Sequence, residues 1–329
     1  MAPVIIRGFS REYRDSNAVR FIFCRVPFRL NVLHSIAGPF VVINAKLKSM
    51  FVLPAALISV LLLLLASAMA VAGGPERTAW IGAAIAALPL PLLLARLMFR
   101  PVERTSENLP FLLLLSAVSV LLTGWEQFIE GVAGWAPTVV ALVNAGIILL
   151  YVFWYSRFGR IASMQLAVGN KLPDFRLQDA AGNDVGADEF SGSPTVLLFY
   201  RGNWCPLCMA QIREIAHRYQ EMDDLGIRIV LISPQPDEHT KTLAESHAVP
   251  FHFLIDTGNK LAESLGIAID NGVPLGIQGG YAPATVMPTV VVTNANGTIV
   301  FSDQTDNYRV RPEPDLFLAI LRRSGAVAP

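Results

Sequence analysis

The chain has 329 residues, enough for two domains, but with 53% hydrophobic and only 16% charged residues and a mean hydropathy of +0.47 it is too apolar for a single ordinary water-soluble domain. A membrane section is implied. A formal net charge of zero says little, because it averages an Arg-rich N-terminus with a near-neutral remainder; nucleic acid is not suggested, and three cysteines are too few for a disulfide framework.

Residues 1–48 form a basic N-terminal segment, with Arg7, Arg11, Arg14, Arg20, Arg25, Arg29, Lys46 and Lys48 set among apolar residues. Three readings stay open: a cytoplasmic leader, a membrane-surface segment, or an upstream extension if synthesis starts at Met50. Residues 49–158 are almost continuously apolar. FVLPAALISVLLLLLASAMAVA, AWIGAAIAALPLPLLLARLMF, LPFLLLLSAVSVLLTGW and WAPTVVALVNAGIILLYVFWY each reach or approach the roughly 20 apolar residues that cross a bilayer. The expectation is an N-terminal α-helical transmembrane bundle of about four spans. The first run, with KLKSM before it and ASAMA within it, also resembles a cleavable signal peptide.

Lys and Arg near span ends stay cytoplasmic. The N-terminal flank, the loop with Arg96, Arg100 and Arg104, and the tail with Arg157, Arg160 and Lys171 are the basic ones, whereas the other two connections offer only Arg77. This alternation predicts a multi-pass protein of a bacterial inner membrane with everything after Phe158 in the cytoplasm, and removal of the first span would not change that. Trp125, Trp135, Trp154 and Tyr155 lie near span ends, where aromatic rings anchor. The spans contain no cysteine or histidine to carry electrons, so they read as an anchor or a partner-binding module for the lipid bilayer.

From residue 159 to 329 the composition becomes that of an α/β domain. LPDFRLQDAAGNDVGADEF gives two short extended pieces; TVLLFY is a strand, Cys205–Leu225 a helix, RIVLIS a strand, DEHTKTLAESH a helix, HFLID a strand and GNKLAESLG a short helix. A Gly/Pro-rich insertion, Ile267–Met287, precedes TVVVT and TIVFSD, which form a hairpin about the turn Asn294–Gly297, and the helix EPDLFLAILRR closes the domain. This order predicts a mixed sheet covered on both faces.

The chemistry lies in FYRGNWCPLC, residues 199–208, where a strand feeds a helix and a CxxC occupies the junction. A cysteine capping a helix faces unpaired N–H groups and the positive end of the dipole, which favour thiolate. Cys205 is therefore the expected nucleophile, and Cys208, on the same helical face, the residue that resolves it. Zinc would need a second pair of ligands; His239, His247 and His252 lack finger spacing, and there is no second CxxC. An inert pair would suit mid-helix better than a strand-to-helix junction.

These motifs carry a resemblance. Residues 168–323 resemble a peroxiredoxin-like redoxin of the AhpC/TSA group within the thioredoxin superfamily: LPDFRLQDAAGNDV is similar to its N-terminal hairpin, FYRGNWCPLC to its active-site segment, and MPTVVVTNANGTIVF to its cis-Pro strand and hairpin. The resemblance implies a thioredoxin-like α/β domain, a substrate surface formed by Trp204, Pro206, Met287, Pro288 and Thr289, and no cofactor beyond a redox-active Cys205–Cys208 disulfide. It departs from both models. Gly202 stands where peroxiredoxins carry Thr or Ser, Met287 where they carry an Arg, and Phe199 where thioredoxins carry a buried Asp. Arg201 and Arg309 are candidate substitutes for the missing Arg.

The sequence thus predicts a membrane-anchored thiol oxidoreductase that reduces disulfides or hydroperoxides and is recharged by a thioredoxin or glutathione system. Disulfides are favoured, because WCxxC and the Pro are present while Thr and Arg are missing. A thiol peroxidase and a redox-sensing regulator of a membrane module are the alternatives.

Overall fold

The computed structural model describes residues 30–131, 134–246 and 249–328, with side chains from Ile43 onward. The basic residues Arg7 to Arg29, Cys24 and His247 lie outside the described residues. The N-terminal unit, Met1–Val41, is represented only by the start of helix α1 (Leu30–Ala72), so the boundary expected at residue 48 falls inside a helix.

The second unit, Val42–Pro329, holds both the bundle and the α/β domain. After α1 come α2 (Arg77–Ala87), α3 (Pro89–Phe99), α4 (Pro110–Phe128) and α5 (Trp135–Leu150), the last continued by a π-helical turn, Tyr151–Tyr155. Pro89 has no N–H to give, so Leu88 turns its own N–H to Ile85 and the helix resumes with Leu92 bonded to Leu88. Despite that kink α2 and α3 make one run, Arg77–Phe99. With Ile43–Ala72, Pro110–Phe128 and Trp135–Tyr155 this gives four helices long and apolar enough to cross a membrane.

The sheet follows: β1 (Arg176–Asp179), β2 (Asp184–Gly186), β3 (Thr195–Phe199), β4 (Arg228–Ser233), β5 (His252–Ile255), β8 (Thr289–Thr293) and β9 (Ile299–Asp303), in the order β2-β1-β5-β4-β3-β8-β9. β3, β4 and β5 are parallel, whereas β8 runs antiparallel to β3 and β9 antiparallel to β8. That central arrangement is thioredoxin-like, with β1 and β2 as an N-terminal hairpin. The helix expected over 205–225 is two, α6 (Pro206–His217) and α7 (Tyr219–Asp224), broken at Arg218. Helices α8 (Asp237–Ser246), α9 (Lys260–Ser264) and α10 (Pro314–Arg323) complete the domain, and the insertion adds a small ladder of β6 (Ala268–Ile269) with β7 (Thr285–Val286).

Strand alternation divides the core. Leu197, Phe199, Val230, Ile232, Leu254 and Val291 face Phe175, Leu177, Phe190 and α9. Val196, Leu198, Tyr200, Leu231, Val290 and Val292 face α6, α7, α10 and, in the same continuous cluster, Ala55, Leu90, Leu93, Leu97, Leu109, Ile148 and Tyr151 of the bundle. Burying each large apolar side chain contributes roughly 1.5–3 kcal/mol. The α6 face of the redoxin domain is therefore built against one end of the helices.

Polar contacts lock that junction. Tyr151 and Tyr308 share a 2.7 Å hydroxyl–hydroxyl hydrogen bond, Trp154 Nε1 donates to Asn44 Oδ1 at 2.8 Å, and the Leu275 N–H donates to the Ser49 carbonyl of α1 at 2.7 Å. Lys48, Arg104 and Arg157 all lie at this end: Lys48 bonds the Arg157 carbonyl, Arg104 pairs with Glu214 and Glu313, and Arg157 with Glu107. Basic residues from three segments thus gather at one end of the helices.

Candidate functional site

Strand β3 ends at Phe199, and the next residues must turn sharply to start α6. Gly202 makes that turn with φ +140, a conformation that L side chains rarely adopt. Gln235 then holds the loop. Its Oε1 accepts the Asn203 N–H at 2.8 Å, and its Nε2 donates to the Tyr200 and Thr240 hydroxyls at 3.1 Å each. Thr285 Oγ1 donates to the Arg201 carbonyl at 2.9 Å.

Cys205 is the N-cap of α6, and Pro206 occupies the first helical position, where its missing N–H costs nothing. The Cys205 sulfur accepts the Cys208 N–H at 3.4 Å, and the two sulfurs lie 2.6 Å apart with both thiols free. Cys205 is 2% and Cys208 0% exposed. Arg311 Nη2 approaches Cys208 Sγ at 3.5 Å while Nη1 donates to Gln211 Oε1 at 3.1 Å and Nε to the Tyr308 carbonyl at 3.0 Å.

Burial pushes the Cys205 thiol well up, and the hydrogen bond with Cys208 adds to this. Burial alone would raise Cys208 too. The Cys205 hydrogen bond, the Arg311 guanidinium and Arg201 outweigh it and bring Cys208 down to about 5. Burial likewise opposes the charge of Arg311, but the two sulfurs prevail and hold it above its ordinary range. The pair is thus built to carry one negative charge at neutral pH, shared along a short S···S line.

Arg201, 7% exposed, stacks its guanidinium 4.6 Å from the Trp204 ring and lies about the Tyr308 and Phe158 rings at 5.8 and 6.0 Å. It also bonds the Gly272 carbonyl of the insertion. That insertion closes over the loop: the Tyr281 hydroxyl donates to Asn203 Oδ1, and its ring stacks on His239 at 4.7 Å.

Several expected roles change. Pairing of Phe199 with Thr289 brings Pro288 level with Tyr200, beside the active-site loop, but the peptide bond before Pro288 is trans. Trans is the favoured isomer, and the Met287 carbonyl is turned to accept from Thr289 Oγ1 at 2.8 Å while the Met287 N–H bonds the Ile267 carbonyl at 2.7 Å. Arg160 takes what remains, donating to the Pro288 carbonyl at 3.1 Å and to Thr289 Oγ1 at 2.8 Å. The Met287 side chain packs on the opposite core, with Leu265 and Ile267. Arg309 is not at the sulfurs. It is fully buried and donates to Ser156 Oγ, Thr105 Oγ1 and the Ser106 and Glu107 carbonyls, clamping the loop between α3 and α4. The arginine that reaches the thiols is Arg311, two residues on in the same DNYRVRPEP stretch. Gln211 and Gln235, which position Arg311 and the loop, carried no sequence signal. Among the described residues no three His, Cys, Asp or Glu side chains gather as metal ligands do.

The profile of the AhpC/TSA family matches residues 168–302, the stretch that holds the hairpin, the active-site loop and β8. Those residues are an AhpC/TSA domain. Peroxiredoxin Q of Sedum lineare is 32% identical over 102 residues, which is 31% of this chain and 55% of that protein. Peroxiredoxin Bcp of Bacillus subtilis is 29% identical over 104 residues, 32% of this chain and 66% of that protein. The chain spans about half to two thirds of the length of these curated relatives. The crystal structure of peroxidoxin BcpB from Mycobacterium tuberculosis covers 48% of this chain and 97% of its own at a TM-score of 0.40 and 22% identity.

Proposed function

We propose that this protein is a membrane-anchored thiol peroxidase whose AhpC/TSA domain uses Cys205 and Cys208 as a two-electron dithiol. The observation that carries the reading is the buried, charge-stabilised pair: two free sulfurs 2.6 Å apart at a helix N-terminus with Arg311 at 3.5 Å. The peroxiredoxin names of the relatives support a hydroperoxide as substrate. So does the Pro288 loop, whose carbonyl and hydroxyl are occupied by Arg160 and are not offered to the extended chain of a protein disulfide.

Cys205 caps α6 and Cys208 lies one turn further in, so we assign attack to Cys205, in the form of the pair in which the shared proton rests on the Cys208 sulfur. The Cys205 thiolate attacks the terminal oxygen of ROOH, the O–O bond breaks, and RO⁻ leaves with a proton as ROH, giving a sulfenic acid at Cys205. Cys208 then attacks that sulfur, water leaves, and the Cys205–Cys208 disulfide forms. An external dithiol of the thioredoxin class, or two equivalents of a glutathione-class thiol, returns the two electrons. The charge alternation favours a cytoplasmic domain, where such reductants are held reduced. Stopped-flow oxidation of the full chain by hydrogen peroxide tests the reading. A rate no faster than free cysteine, or one undiminished in Cys205→Ser, overturns it.

A redox-sensing role is favoured by one further observation. The segment that bears Arg311 also carries Tyr308, bonded to Tyr151 of the bundle, and Arg309, bonded to the α3–α4 loop. Co-purification of a membrane partner in one redox state only, without turnover, would favour that role over the peroxidase.

A further inference from the structure

An AhpC/TSA active site needs donors for the oxygens of its substrate, and the residue type expected at position 202 is missing. The structure shows what fills that space. A Cβ built on Gly202 would lie 2.8 Å from both Trp204 Nε1 and Cδ1, so the N–H edge of the indole occupies the volume into which a Thr or Ser side chain would project. A nitrogen donor stands where a hydroxyl donor was expected. Trp204 Nε1 is buried and has no hydrogen-bond partner among the described residues, and Nε of Arg201, stacked on the same ring at 4.6 Å, is also buried without one. Unpartnered donors at such a position cost roughly 1–3 kcal/mol each unless something accepts from them. The rest of Arg201 is committed: its Nη2 holds Gly272, its carbonyl accepts from Thr285, and its charge acts on both sulfurs.

We propose that Trp204 Nε1–H and Arg201 Nε–H are the donors that bind the leaving oxygen of the hydroperoxide, in place of a hydroxyl at position 202. The inference rests on the peroxidase reading and gives that site its substrate contacts. As the Cys205 sulfur attacks the terminal oxygen and the O–O bond breaks, the electron pair moves onto the second oxygen. An indole and a guanidinium N–H, fixed and dry, stabilise that charge where water cannot. They need no movement, because Gly202 keeps the indole edge seated.

The full chain in lipid nanodiscs tests it with three readouts: oxidation by hydrogen peroxide, alkylation of the dithiol by iodoacetamide, and the ultraviolet titration of the thiolate. Trp204→Phe keeps the ring and the cation stack but removes the N–H. It is expected to slow oxidation roughly 100- to 1,000-fold, as loss of one donor to a developing oxyanion does, while alkylation and the thiolate titration stay at wild-type values. Arg201→Lys, which keeps the charge and removes Nε, is expected to do the same and serves if the first variant fails to fold. Oxidation at the wild-type rate in either folded variant overturns the proposal. So does an equal loss in oxidation and alkylation, which would mean that the residue acts on the sulfur instead. A wild-type chain alkylated rapidly but inert to peroxide would sink the peroxidase reading and this inference with it.

Discussion

Arg311 reaches Cys208 from a position 103 residues downstream, with 3.5 Å between Nη2 and the sulfur. That contact makes the helix N-terminus a site for negative charge, because Arg311 is the cation hydrogen-bonded to the buried sulfur, with Arg201 adding a weaker share. Replacing it with Met is expected to raise the lower thiol pKa by at least one unit, which leaves most of the thiolate in place at neutral pH but cuts it roughly fivefold near pH 5 and slows alkylation there in proportion. Arg311→Lys should recover part of the charge but not the fork to Gln211 and Tyr308. Titration of the thiolate absorbance checks both. An unchanged lower midpoint would remove Arg311 from the site.

The pH dependence follows from the same pair. Cys208 is depressed to about 5 and Cys205 is raised, both relative to an ordinary cysteine. The wild type should titrate in two steps, the first near 5 and the second above the ordinary thiol range. The signs for stability are opposite. The depressed Cys208 contributes stability that is fully present above its unfolded pKa and is lost as pH falls toward 5. The raised Cys205 favours folding below its unfolded value, and that contribution is lost as pH climbs through its folded one. Stability of the reduced protein is therefore expected to be greatest near the ordinary thiol pKa and to decline on either side of it. Cys208→Ser should abolish the acid step. Denaturant melts against pH check this.

Restoring the hydroxyl at position 202 is expected to fail. Gly202 has φ +140, and a Cβ there meets the indole at 2.8 Å, so Gly202→Thr combines backbone strain of about 1–3 kcal/mol with displacement of Trp204. Peroxide oxidation should fall and not rise, and the thermal midpoint should drop by several degrees. A faster peroxidase with unchanged stability would show that the indole is dispensable.

How much of this was legible beforehand depends on the range of the interaction. The strand order, the CxxC at a strand-to-helix junction and the four apolar runs are local patterns of two- and 3.6-residue period, and each appears in the structure where the sequence put it. The helix broken at Arg218 and the early start of α1 are boundary effects of the same local kind. Arg309 and Arg311 differ only in which way each side chain points out of one irregular segment, and no periodicity decides that. The bundle decides it: Arg309 finds Thr105 and Glu107 of the α3–α4 loop, leaving Arg311 for the sulfur. The trans Pro288 was similarly out of reach, because Arg160, the residue now bonded to its carbonyl, lies 128 positions earlier.

That last contact yields a prediction about substrate choice. Burial lowers the pKa of Arg160 to about 10, with Asp303 and Asp306 opposing the shift, so it stays charged at neutral pH and holds the Pro288 carbonyl and Thr289 hydroxyl. Arg160→Ala would free both groups of the loop that thioredoxin-like proteins offer to an extended chain. The variant is expected to reduce a protein disulfide such as that of insulin several-fold faster than the wild type, while its reaction with hydrogen peroxide changes little, because no bond of Arg160 touches Cys205 or Cys208. Parallel turbidity and stopped-flow assays measure the two activities. If insulin reduction is equally slow in wild type and variant, the barrier to protein disulfides lies elsewhere, and the burial of Cys205 beneath Trp204 and the Tyr281 closure becomes the place to seek it.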